Sequence, residues 1–203
     1  MASLHLSDGS TLQLRPLEPE DGALLARLFY RLSPETVYKR FLSPIPSPYR
    51  PELQRLLEID HRDREALAVL SEGEVVAVVR YARDAQHPEV AEIAIVVEDG
   101  WQRRGLGALL IRRLAAVARR RGIGAFHATM LGDNRPAMRL LRGLSAAARF
   151  QWSTGELEAE VPLRAPTPTL PAGQRDAGSA RTPLARPAAP GPRSSPSPPV
   201  ARP

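Results

Sequence analysis

The chain has 203 residues, 43% hydrophobic and 25% charged, and its 28 Lys+Arg against 22 Asp+Glu give a formal net charge of +6. That length suits one domain of ordinary size, and the absence of cysteine excludes disulfides, thiolate nucleophiles and Cys-ligated zinc. The excess charge lies almost wholly after Glu160, where six arginines face one aspartate, so the rest of the chain is near neutral.

The N-terminal "MASLHLSDGS" lacks the basic and apolar regions of a signal peptide. No apolar run approaches the ~18 residues that cross a bilayer, so the expectation is a cytoplasmic protein with no membrane partner. "LHLSDGSTLQLRPL" alternates about Asp8-Gly9 and predicts a hairpin. "EPEDGALLARLFYRL" predicts a helix with acids in its first turn. "SPETVYKRFL" predicts a second, with Ser33 as N-cap and Pro34 at the first helical position. "SPIPSP" ends it, and "YRPELQRLLEI" predicts a third. "EALAVL" and "EVVAVVRYA", joined by Ser71-Glu72-Gly73, read as another hairpin, and "VAEIAIVV" as a further central strand.

"GLGALLIRRLAAVARRRGI" predicts a helix of about four turns. At 100° per residue, Leu110, Ile111, Leu114, Val117 and Ala118 share a half-circle with Leu106, while Arg112, Arg113, Arg119 and Arg120 fall opposite and Leu109 breaks the pattern. "AFHATML" predicts a strand, "NRPAMRLLRGL" a last helix and "RFQWS–TG–ELEAEV" a closing hairpin. Strand pairs in hairpins with two late βα units predict a mixed α/β domain rather than an all-parallel sheet. Residues 161–203 hold more than half of the 21 prolines and no aromatic residue. They predict a disordered Pro/Ala/Arg-rich tail after a domain of residues 1–160. A basic tail of this kind supplies no sequence readout, so no specific nucleic-acid partner is expected.

The stretch "VVEDGWQRRGLGALLIRRL" (Val96–Leu114) joins strand to helix through a glycine-rich, cationic loop. It is not the dinucleotide fingerprint, because the third glycine position holds Leu110 and no acid follows about twenty residues on. It is not a P-loop either, because no Gly-Lys-Ser/Thr follows. Its physics still suits a phosphate. Gly105 and Gly107 remove Cβ atoms, so backbone N–H groups from Arg103 to Ala108, through Leu106, can approach an anion. The helix N-terminus adds about half a positive charge, and Arg103 and Arg104 add two cations.

The wider pattern Val97-x-Asp99-x-Trp101-Gln102-Arg103-Arg104-Gly105-Leu106-Gly107, between strand and helix, resembles the Q/R-x-x-G-x-G/A signature of the GNAT superfamily of acetyl-CoA-dependent N-acyltransferases. The resemblance covers Leu4 to about Glu160 and implies a mixed, mostly antiparallel sheet flanked by helices, with a splayed central strand pair. It implies acetyl-CoA as cosubstrate and no metal. Gln102–Ala108 would then hold the pyrophosphate, and the main chain of Ile95 and Val97 would pair with the pantetheine arm like an added strand. "DNRPAM" is similar to the family's N-x-x-A/M helix, which implies a cofactor contact for Asn134; an N-cap role fits the same residue.

Acyl transfer to an amine needs a neutral nitrogen, and a lysine-like amine is uncharged in only about one molecule in 2,500 at pH 7. A general base removes that handicap. Glu92, thirteen residues before Gly105, resembles the glutamate of protein-acetylating GNAT members and is the lone charge in "VAEIAIVV". The apolar strand around it points to burial and a raised pKa, while pleat alternation would turn it to solvent. Glu89 and Glu98 are alternatives nearer the strand ends.

One departure stands out. Many family members carry a tyrosine acid in the last helix, often before Gly-Phe, whereas "RLLRGLSAA" places Leu140, Leu141, Ser145 and Ala146 there. The general acid is therefore unassigned, with His61 and His127 as possible substitutes. "RLSPETVYKRFLSP" and "IDHRDREALAVL" are similar to GNAT domains of bacterial protein lysine acetyltransferases, which implies a protein lysine as acceptor. A small-molecule amine acetyltransferase and a catalytically silent acyl-CoA-binding regulator are the alternatives.

Overall fold

A computed structural model describes residues 2–6, 8–45, 47, 55–153 and 155–163. The chain divides into a unit of residues 1–167 and another of 168–203, and all described residues lie in the first. Strands β1 (Ala2–His5), β2 (Thr11–Pro16), β3 (Arg64–Ser71), β4 (Glu74–Arg83), β5 (Val90–Val97), β6 (Ala125–Met130), β7 (Arg149–Ser153) and β8 (Glu156–Pro162) form one sheet in the order β1-β2-β3-β4-β5-β6-β8-β7. Every neighbouring pair is antiparallel except β5 with β6. The helices are α1 (Gly22–Arg31), α2 (Pro34–Phe41), α3 (Leu106–Arg120) and α4 (Arg135–Leu144).

Local chemistry explains the element ends. Gly9, at φ 84°, turns the β1–β2 hairpin, and Glu72 and Gly73, at φ 50° and 82°, turn β3 into β4. The Ser33 hydroxyl accepts from the Thr36 N–H at 3.2 Å and caps α2, with Pro34 in its first turn. α3 buries Leu106, Leu110, Ile111, Leu114, Ala115 and Ala118 and exposes Arg112, Arg113, Arg119 and Arg120. Leu109 is partly buried against the same core.

The sheet separates two apolar clusters. The larger joins α3 and α4 to Tyr81, Ile93 and Phe126; the smaller joins Leu28 of α1 to Ala68, Val75 and Val78. β8 continues beyond Glu160, with Val161 and Leu163 buried in the larger cluster, so the packed chain includes the first residues of the stretch read as tail. The helix predicted from "YRPELQRLLEI" lies mostly outside the described residues, which show a short 3-10 turn at Arg55–Leu57. The tail from residue 164 also lies outside them.

Candidate active site

The parallel pair at the centre of the sheet is short. Val90, Ala91 and Glu92 pair with Ala125, Phe126 and His127, and the ladder then stops although β5 runs on to Val97 and β6 to Met130. Two bonds to β4 bracket the alternation along β5. Asp84 N–H donates to the Val90 carbonyl at 3.0 Å and Glu98 N–H to the Val76 carbonyl at 2.9 Å. Even-numbered residues of β5 therefore bond to β4, and the N–H and C=O groups of Ile93, Ile95 and Val97 turn toward the gap beside β6. One of them is taken, because Gln102 Nε2 donates to the Val97 carbonyl at 3.0 Å. A cleft of about 250 Å³ opens there, walled by Ile93, Ile95, Met130 and Leu140 with Arg40 and Asn134 at its edges.

The loop from β5 to α3 ends at the same place. Arg103 and Gly105 both adopt left-handed backbone, at φ 61° and 81°, and Gly105 is the N-cap of α3. No side chain caps this helix, so its first N–H groups, at Leu106, Gly107 and Ala108, keep their donors for an outside acceptor. A Cβ on Gly105 would meet nothing within 4 Å, which leaves the helix mouth open. Gly107 is less constrained: a Cβ there would make ordinary contact with Ile95 and Leu140 at 3.7 and 3.8 Å. Leu106 is buried, so only its main chain is available.

The cations of the loop differ. Arg104 is paired with Asp8 at 3.0 Å and lies 4.8 Å from the Trp101 ring centroid. Arg103 is exposed with no ion pair among the described residues. A bare helix mouth, left-handed backbone and one free guanidinium fit a pyrophosphate.

Anchors that local patterns do not reveal hold the loop. Asp99 accepts from Ser33 N–H at 2.9 Å, the Ser33 hydroxyl at 2.7 Å and the Thr36 hydroxyl at 2.8 Å. Burial pushes the Asp99 carboxyl up, but these donors together hold it below its ordinary value. Gln102 Nε2 also reaches the Thr36 hydroxyl at 3.2 Å, and Glu98 pairs with Arg31 at 3.1 Å. The starts of α2 and α3 are thus fixed to each other through Thr36, Asp99 and Gln102. Asn134 caps α4, its Oδ1 accepting from Ala137 N–H at 3.2 Å, and it lines the cleft as well.

Glu92 is exposed rather than buried, so pleat alternation and not its apolar neighbours sets its position. On its face of the sheet α1 packs on β4 and α2 on β5, while the strands β6, β8 and β7 leave that face open. There a cavity of about 640 Å³ is lined by Glu92, His127, Thr129, Gln151, Glu158 and Arg149 among others. Glu92, Ala128 and Thr129 line both this cavity and the 250 Å³ cleft. Sequence reasoning missed Thr129 and also Arg40. Burial, with Arg80 beside it, lowers the Arg40 guanidinium to about 10 while Glu92 opposes the shift, and it remains a cation at neutral pH.

The other candidates lie apart. His61 bonds to Glu65 at 2.9 Å and Glu18 at 3.1 Å, in a network that also joins Glu65 to Arg121 at 2.7 Å. Glu98 is held by Arg31, and the Glu89 carbonyl accepts from Gly124 and Ala125. His61, Glu89 and Glu98 line neither cavity, whereas His127 is the register partner of Glu92.

A strand edge opened beside an uncapped helix mouth suits a ligand that joins a strand-pairing arm to a pyrophosphate. A family model described as "Acetyltransferase (GNAT) family" matches residues 34–145. Acetyltransferase Pat of Mycolicibacterium smegmatis is 32% identical over 172 residues, covering 83% of this chain and 50% of that protein. Acetyltransferase PA5475 of Pseudomonas aeruginosa is 36% identical over 138 residues, covering 66% of this chain and 73% of that protein. The crystal structure of the GNAT domain of S. lividans PAT aligns with a TM-score of 0.72 at 32% identity, covering 79% of this chain and 96% of that one. The chain belongs to the GNAT family of acetyl-CoA-dependent N-acyltransferases. It spans half the length of the Mycolicibacterium relative. No helix among the described residues is long and apolar enough to cross a membrane.

Proposed function

We propose that the chain passes an acetyl group directly from acetyl-CoA to an amine, with Glu92 as the base and a protein lysine as the acceptor. The observation that carries this reading is the position of Glu92, which borders both the cleft beside β5 and the open-face cavity. Acetyl-CoA supplies the thioester. The amine nitrogen bonds to its acyl carbon, the carbon–sulfur bond breaks with CoA leaving as the thiolate, which takes its proton from water, and the nitrogen gives up a proton to Glu92.

Each element of the site has a part. The Leu106, Gly107 and Ala108 N–H groups, with Arg103, would hold the pyrophosphate. The main chain of Ile93 and Ile95 and the N–H of Val97 would pair with the amide-bearing arm. The Val97 carbonyl is already engaged by Gln102. An exposed Glu92 can pass its proton to water between turnovers.

The acceptor reading rests on the open-face cavity. It is open enough for a side chain presented by a larger molecule, and Asp84, Glu92, Glu158 and Glu160 outnumber Arg83 and Arg149 around it, which suits a cation. The lack of a tyrosine in Leu140–Ala146 favours a second reading, an acyl-CoA-binding regulator without turnover. Free-thiol release with acetyl-CoA and a panel of lysine peptides and polyamines tests both. Turnover on lysine peptides supports the proposal. Turnover confined to polyamines moves the acceptor to small amines, and binding without turnover on any acceptor supports the regulator.

A further inference from the structure

The edge strand β7 meets two different parts of the molecule. Arg149 and Gln151 line the open-face cavity, and Phe150 and Trp152, on the opposite face, meet α4 and the connection leading into it. The Arg142 guanidinium, in the last turn of α4, lies 5.0 Å from the Phe150 ring centroid. Trp152 reaches the other end of that helix. A Cβ built on Gly132 would stand 1.9 Å from Trp152 Cη2 and 2.5 Å from Cζ2, so the indole lies directly against the bare Cα of Gly132.

Two facts make this contact unusual. Gly132 is not among the positive-φ glycines, so its backbone does not require glycine, but a Cβ there would collide with the indole where it lies. Trp152 is 65% exposed, so its ring contributes little to the core. The contact falls on the Leu131–Asn134 connection between β6 and α4, whose last residue caps α4 and lines the cleft beside β5.

We propose that Trp152 is a positioning residue for acetyl-CoA binding: its indole, laid on Gly132, holds the β6–α4 connection so that Asn134 and the first turn of α4 stand as a wall of the cleft. This rests on the reading of that cleft as the site of the acetyl-CoA arm. Trp152 lines neither cavity and acts through Gly132. With the ring removed, the connection samples other positions, and apparent affinity falls in proportion to the fraction of time the wall is in place.

Calorimetric titration with acetyl-CoA tests this on the full chain as wild type, Trp152→Ala, Trp152→Phe, Gly132→Ala and the Trp152→Ala/Gly132→Ala double variant. Trp152→Ala is expected to weaken binding about tenfold, as for a wall in place about a tenth of the time. Its melting temperature should change little, and Trp152→Phe should recover most of the affinity. Gly132→Ala should also weaken binding, because its methyl evicts the ring, yet add nothing once Trp152 is alanine; that coupling is the signature of a direct contact. Wild-type affinity in Trp152→Ala overturns the proposal, and so does a Gly132→Ala effect of full size in the Trp152→Ala background. If the wild type itself fails to bind acetyl-CoA, the reading of the cleft falls first and the proposal with it.

Discussion

Replacing Gly105 with glutamate tests the helix mouth through two separable effects. Gly105 stands at φ 81° as the N-cap of α3, and any other L-residue held there costs about 1–2 kcal/mol. That cost appears as a lower melting temperature with or without ligand. No clash adds to it, because a Cβ on Gly105 meets nothing within 4 Å. The second effect appears only in binding. A carboxylate within ~4 Å of a phosphate charge is repelled by ~1 kcal/mol in bulk water and ~4 kcal/mol near a protein surface. Acetyl-CoA affinity should therefore fall between about fivefold and about a thousandfold. Gly105→Ala carries the strain without the charge and separates the two. Calorimetric titration beside thermal melts reads both, and added salt should shrink the glutamate deficit more than the alanine one. Gly105→Glu that melts cooperatively and binds acetyl-CoA within about twofold of wild type would refute the pyrophosphate assignment.

Truncation after Glu160 should lower the melting temperature sharply, because it removes the buried Val161 and Leu163, each worth about 1.5–3 kcal/mol of apolar burial. Truncation after Leu163 should leave melting and acetyl-CoA affinity near wild type, and equal melting of the two truncations would contradict the packing described. The hydrogen bond that His61 donates to Glu65, helped by Glu18 and opposed by burial, raises the pKa of His61. The stability from protonated His61 is therefore complete below about pH 6.5 and lost as pH rises through the raised value. Melts across that range should show the decline in the wild type and a flatter profile in His61→Asn; parallel profiles would exclude His61 as its source.

Much of the fold was legible because it is written locally. The Asp8-Gly9 and Glu72-Gly73 turns, the Ser33 cap and the apolar stripe of α3 each need only a few neighbouring residues. The glycine loop was legible for the same reason. What escaped was set by contacts distant in sequence. Nothing near Asp99 announces that its carboxylate accepts from Ser33 and Thr36, 66 and 63 residues away. For Glu92 the apolar neighbours and the pleat alternation point opposite ways, and alternation decides, because a strand buries its two faces separately. Ala91 and Ile93 point into the α3 core, and Glu92 points to the other face, between the end of α2 and the uncovered strands β6, β8 and β7. The insertion of β8 between β6 and β7 likewise follows from sheet assembly and leaves no mark on either strand's own pattern.

The pH dependence of turnover in Glu92→Gln tests the central claim most directly. The amide keeps the shape of the side chain but cannot accept the acceptor's proton. With the lysine peptide identified by thiol release, the account predicts unchanged acetyl-CoA affinity and turnover at pH 7 lower by roughly 10²–10⁴. The deficit should narrow as pH approaches the amine's own pKa of ~10.4, where solvent supplies the neutral nucleophile. A Glu92→Gln rate equal to wild type at pH 7 would contradict the account and remove Glu92 from the chemistry.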